Sequence, residues 1–114
     1  MLYMPVRNWE AGSDAAVADQ LASPVTTPGL GDGGAHCTQI CDVSSPTTFL
    51  TWWGRDRRYG PTMPVETLIR RQTRDTARLA GVNDRGLLEP GRRADVNVID
   101  WSRLGVHRPE LVDD

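Results

Sequence analysis

The sequence predicts an α/β fold, and three patterns predict it. Between Pro64 and Ala80, the residues Val65, Leu68, Ile69, Gln72, Thr76, Leu79 and Ala80 recur at helical spacing. Around residues 96–99 the period falls to two, with Val96, Val98 and Ile99 interleaved with Asn97 and Asp100 as in a half-buried strand. A third segment, Val25-Thr26-Thr27-Pro28-Gly29-Leu30-Gly31, opens with β-branched residues and reads as a strand, which Pro28 confines to an edge or a bulge because it cannot donate to a ladder.

The other elements follow in chain order. Ser13-Asp14 ahead of Ala15-Ala16-Val17-Ala18-Asp19-Gln20-Leu21-Ala22 reads as a capped short helix with Val17 and Leu21 on one face, stopped by Ser23-Pro24. The glycines from Gly29 to Gly34 form a turn. Ser44-Ser45-Pro46 is a cap-and-proline start for a helix over 47–58 that carries Phe49, Leu50, Trp52 and Trp53, and Tyr59-Gly60-Pro61 ends it. Adjacent helical residues point in different directions, so the Trp52-Trp53 pair is expected in a core or on a docking face. For the long helix, Pro64 suits the first turn, Glu66 the positive end of the dipole and Gly81 the C-terminal cap. Turns at Asp84-Arg85-Gly86 and Glu89-Pro90-Gly91 lead into the second strand, and Arg108 to Asp114 reads as a tail. The change of period divides the chain into residues 1–81 and 82–114.

Composition narrows the possible roles. The 114 residues carry 13 basic side chains, all of them Arg, and 15 acidic ones, for a net charge of −2, which gives no global attraction to nucleic acid or anionic lipid. The basic run Arg70-Arg71-Gln72-Thr73-Arg74 with Arg78 is interrupted by Asp75 and reads as a solvated helix face. No apolar run is long enough to cross a bilayer and the opening Met1-Leu2-Tyr3-Met4-Pro5 is short for a secretory signal, so a cytoplasmic location is expected, without nucleic-acid or membrane partners. Cys37 and Cys41 lie too close in sequence for a disulfide to close a long loop, and free thiols are expected. Leu, Ile, Val and Phe make up about a fifth of the residues, so the core will be small and sensitive to a missing partner surface.

The most informative window is Gly29-Leu30-Gly31-Asp32-Gly33-Gly34-Ala35-His36-Cys37-Thr38-Gln39-Ile40-Cys41-Asp42. Gly29, Gly31 and Gly34 fit G-x-G-x-x-G, yet Pro28 spoils the preceding strand, Asp32 would repel phosphate and no clear helix follows at once. His36, Cys37 and Cys41 match no common zinc spacing. What remains is a carboxylate at a strand end: glycines around Asp32 let the backbone turn sharply and admit a substrate or cation, and the acid can bind the cation or accept a proton. Taken alone, an Asp in a glycine turn is more often a turn-former that caps its own loop.

The string Gly-Leu-Gly-Asp-Gly-Gly-Ala-His at residues 29–36, followed by Ile40-Cys41-Asp42, resembles the corresponding segment of metal-dependent amidohydrolases of the N-acyl-D-amino-acid deacylase type, with Gly31 in place of their Ser. The similarity continues through Phe49-Leu50-Thr51-Trp52-Trp53, Arg55-Asp56-Arg57 and Arg71-Gln72-Thr73-Arg74-Asp75-Thr76-Ala77. It ends in Asp84 to Asp100, which resembles the carboxy-terminal signature of such enzymes. The resemblance implies the last βα unit of a (β/α)8 amidohydrolase barrel plus a strand of the small C-terminal β-sandwich, present as an incomplete fragment. It implies zinc chemistry on the C–N bond of N-acyl-D-amino acids or related amides, with Asp32 as metal-side proton shuttle and His36 facing the same pocket. Gly33 and Gly34 would admit the substrate, and Arg55 and Arg57 are candidates to hold its carboxylate through paired hydrogen bonds.

The chain has only two histidines, His36 and His107, no His-x-His pair and no lysine, whereas a catalytic zinc normally takes three protein ligands and keeps one open position. The expected partners are therefore the missing N-terminal part of such an enzyme and a small acylated amino acid, with no turnover by the chain alone. The alternative is a non-catalytic protein-interaction module, or the remnant of a truncated gene.

Overall fold

The computed structural model describes residues 12–29, 42–108 and 110. Four α-helical segments appear among them: α1 (Ala15–Ala22), α2 (Ser45–Thr51), α3 (Val65–Arg70) and α4 (Thr76–Leu79). A 3₁₀ turn, Asp42–Ser44, leads into α2, and wider π-helical turns follow α2 at Trp52–Asp56 and join α3 to α4 at Arg71–Asp75.

Helix α1 begins where the sequence predicts, but the division of labour at its cap differs. The Ser13 hydroxyl accepts the Ala15 N–H at 3.1 Å, while the Asp14 side chain makes no capping bond and turns towards the other helices. At Ser23 the backbone becomes extended (ψ 134°), as the residue before a proline must. Pro46 sits in the first turn of α2, where a missing N–H costs nothing. The hydroxyls of Thr48 and Thr51 donate back to the carbonyls of Ser44 and Thr47, and the helix ends at Arg57 in an extended conformation.

The long helix predicted over 64–80 forms as α3, a π turn and α4, and the π turn changes what it buries. Leu68 is fully buried, but beyond the widened turn the face rotates, leaving Leu79 and Ala80 exposed although they share the sequence period of Leu68. Its end follows the glycine rule. Gly81 takes φ +73°, its N–H donates to the Arg78 carbonyl, and the Val82 N–H donates to the Ala77 carbonyl at 2.9 Å.

Among the described residues the core centres on the buried Leu50, Trp53 and Leu68, and Val17, Leu21, Phe49, Trp52, Met63, Trp101 and Leu104 pack partly buried around them. Trp53 therefore belongs to the core, and Trp52 packs beside it. Gly54 permits this packing, since a Cβ there would stand 3.0 Å from both the Leu68 side chain and the Trp101 indole.

The two predicted turns after α4 form. Arg92 N–H donates to Glu89 C=O at 3.1 Å around Pro90 and Gly91, whose φ of +85° suits glycine. Gly86, at φ +84°, lies against the long helix, where a Cβ would meet Arg74 Cα at 2.9 Å. The predicted strands differ. No strand ladder forms among the described residues, either over 25–29 or over 93–100, and Val98 is 98% exposed with Val96 and Ile99 also exposed. A strand needs a second chain segment to take its N–H and C=O groups and to cover its apolar side, and the described residues supply none to either segment.

Candidate functional site

Asp32, Gly33, Gly34 and His36, together with Cys37 and Cys41, lie outside the described residues. The structure describes the approach to them. Residues 23–29 descend from α1 and are held by Arg71, a side chain of the long helix that is only 5% exposed. One Arg71 Nη donates to the Thr26 carbonyl at 2.6 Å and to its hydroxyl at 3.1 Å, and both Nη atoms reach the Ser23 carbonyl at 3.3 Å. The Thr26 hydroxyl also donates to Gln20 C=O, tying the segment to the end of α1.

Arg71 corrects the sequence reading of its neighbourhood. Arg70, Arg74 and Arg78 are solvated as predicted, but Arg71 is buried. Its position three residues after the buried Leu68 is the signal that it shares the inner face.

Arg57 and Arg55 are each engaged within the chain. Arg57 Nη2 and Nε approach the Asp14 carboxylate at 2.9 to 3.2 Å, with the two side chains 4% and 3% exposed. Trp52 Nε1 donates to the same carboxylate at 2.9 Å, and the guanidinium lies 4.9 Å from the Trp53 ring centre. Hydrogen bonds from Arg57, reinforced by its charge and by Trp52, hold the Asp14 carboxyl below its ordinary value against the opposing effect of burial.

Arg55 forms a fork on Asp56 at 2.7 and 2.9 Å and also donates to the carbonyls of Trp101 (2.6 Å) and Leu104 (2.8 Å), clamping the 101–104 turn to the helix. The Arg55 hydrogen bonds lower the Asp56 carboxyl in turn. Asp100 organises that turn by accepting the Ser102 hydroxyl and the Ser102 and Arg103 amides, which lower its carboxyl as well.

The larger of two described clefts, about 380 Å³, lies between α1, α2 and the 26–29 segment. Val17, Leu21, Phe49 and Trp53 supply its apolar walls, and Pro28, Gly29, Gln72 and Thr76 are among the other residues that line it. Among the described residues no three His, Cys, Asp or Glu side chains gather where a metal ion could be held. No helix among them is long and apolar enough to cross a membrane.

A model described as the amidohydrolase family matches residues 4–114. The chain belongs to the amidohydrolase family, whose members are hydrolases and usually metal-dependent. No curated protein and no solved structure matches it.

Proposed function

We propose that this chain is the carboxy-terminal part of a zinc-dependent amidohydrolase that cleaves the C–N bond of N-acyl-D-amino acids or related amides, and that it does not turn over substrate alone. The observation that carries this is the family match across residues 4–114, with the glycine-flanked Asp32 inside it.

Attack of water on an amide needs a base for the water proton and an acid for the departing amine, and a single carboxylate serves both in turn. Asp32 takes that role. His36 hydrogen-bonds the carboxylate or the substrate, and Gly33 and Gly34 let the backbone approach the scissile bond. Of the two candidates for the substrate carboxylate, Arg57 is enclosed with Asp14, and Arg55 is 31% exposed with its fork on Asp56, so a carboxylate binding to Arg55 would have to displace Asp56. When bound, zinc would polarise the amide carbonyl and acidify water. Among the described residues no group of side chains fits a zinc site; Asp32 would stand beside the metal, and further ligands would come from other parts of the enzyme.

The test is complementation. The purified chain is expected to show no release of amine from an N-acetyl-D-amino acid in the presence of zinc. Mixed with the polypeptide encoded beside it, if that carries a His-x-His pair, it is expected to gain turnover that Asp32→Asn removes. Full turnover by the chain alone would end the fragment assignment, and complemented turnover indifferent to Asp32→Asn would end the assignment of the proton shuttle.

A second reading, a non-catalytic interaction module, is favoured by the exposure of Leu79, Leu88, Val96 and Val98.

A further inference from the structure

The long helix is held firmly before its π turn and loosely after it. Before the turn, Leu68 is fully buried, and Arg71 grips the carbonyls of Ser23 and Thr26, so α3 rotates only if those bonds break. After the turn, α4 has no buried residue, and Leu79 is 76% exposed. A π turn takes up about one residue more than an α turn, and each α-helical residue advances the helix by about 100°. Closing the Arg71–Asp75 turn to α geometry therefore rotates everything beyond it by about 100°. Leu79 would then lie about three full turns from Leu68, on the same inner face. Ala77, half-buried in the π register, would lie about two and a half turns from Leu68, on the outer face.

Two contacts belong to the π register. Arg70 and Asp75 pair at 3.2 Å across five residues, a spacing that an α-helix would set about 140° apart. Gly86 rests on the widened turn itself, where a Cβ would meet Arg74 Cα at 2.9 Å and the Thr73 carbonyl oxygen at 3.0 Å. The ion pair is solvated and contributes little. Against these contacts stands the Leu79 side chain, which the α register would withdraw from water. We propose that the Arg71–Asp75 turn is a two-register switch. Docking of the turn at 84–86 holds the π register and exposes Leu79; release of that turn lets the helix close to the α register, which turns Leu79 in and Ala77 out. Leu68 and Arg71 fix the upstream half, so the rotation falls on the residues after Asp75. The device couples the position of the segment after α4 to the apolar surface that the helix end presents.

The test reads native side chains in the full chain by NMR, as the relaxation that a neutral gadolinium chelate induces at the Leu79 and Ala77 methyl groups, a measure of their exposure. In the unsubstituted chain Leu79 is expected to relax faster than Ala77. Gly86→Ala, which lifts the 84–86 turn off the helix, is expected to lower the value at Leu79 by about twofold and to raise it at Ala77, as an α register populated to about half requires. Asp75→Ala removes only a solvated partner and is expected to shift the two methyls in the same opposite directions, to a smaller extent. Gly86→Ala decides if it folds, and Asp75→Ala decides if it does not. Rotation requires opposite changes at the two methyls. A rise at both would mean fraying of α4, a fall at both would mean coverage by another copy, and unchanged values would mean one fixed register; each of these, or any other pattern, overturns the proposal. None of the readouts depends on turnover, so failure here and failure of the amidohydrolase assignment are told apart.

Discussion

Replacing Asp14 by Ala is the sharpest probe of what holds this small chain together. The carboxylate sits 3% exposed and accepts from Arg57 Nε and Nη2 and from Trp52 Nε1, thereby fixing the start of α1 to the end of the α2 helix. Its removal leaves the Arg57 guanidinium, 4% exposed, without its counter-charge, and leaves the Trp52 N–H without its acceptor. Breaking one side of such a buried pair costs about 3–5 kcal/mol, chiefly through the charge left uncompensated. With roughly 4 °C or more per kcal/mol for a chain of this size, the midpoint of thermal unfolding followed by circular dichroism should fall by more than about 10 °C. Among the described residues only Leu50, Trp53 and Leu68 are buried apolar side chains, so the variant is expected to be largely unfolded at 37 °C. The double variant Asp14→Ala with Arg57→Met should recover part of the loss, because it removes both charges. A fall of less than about 1 kcal/mol for Asp14→Ala, or a double variant no better than the sum of the singles, would refute the buried-pair account.

Two other predictions concern the same chain. Because Asp14 is held below its ordinary carboxyl value in the folded state, the unfolded chain binds the extra proton first as pH falls; the stability is therefore present above the ordinary aspartate value of 3.8 and lost as pH drops through the lowered folded value, and urea midpoints measured from pH 7 down to pH 2 should decline only below about pH 4. Gly86→Ala places a Cβ against Arg74 Cα at 2.9 Å and the Thr73 carbonyl oxygen at 3.0 Å while φ stays at +84°, so it should destabilise by about 1–3 kcal/mol and speed amide exchange across residues 84–93, whereas unchanged exchange would mean the turn does not rest on the helix.

The local elements were legible in the sequence because each has a local cause. Pro46 and Pro64 open helices, Gly81 closes one through a left-handed cap, and Gly91 follows Pro90 in its turn, all from backbone stereochemistry carried by the residue itself. The family was legible for a similar reason, since a string such as Gly-Leu-Gly-Asp-Gly-Gly-Ala-His is contiguous, and the match over residues 4–114 needs no contact to be recognised.

Partnership across the chain was another matter. Asp14 reads as a helix cap, and only the folding of α2 back onto α1 delivers Arg57 and Trp52 to it, 43 and 38 residues further on. Arg71 reads as one cation among several, and the inner face of the long helix makes it the clamp on Ser23 and Thr26. The period of two at Val96 and Val98 marks a segment suited to a ladder, yet a ladder is a property of two segments, and the described residues supply only one. Sequence thus determined what each stretch of backbone is able to be, through sterics within a few residues. Tertiary structure alone decided which charges are buried together and which side chains clamp distant segments, because burial and pairing depend on neighbours that lie far away along the chain.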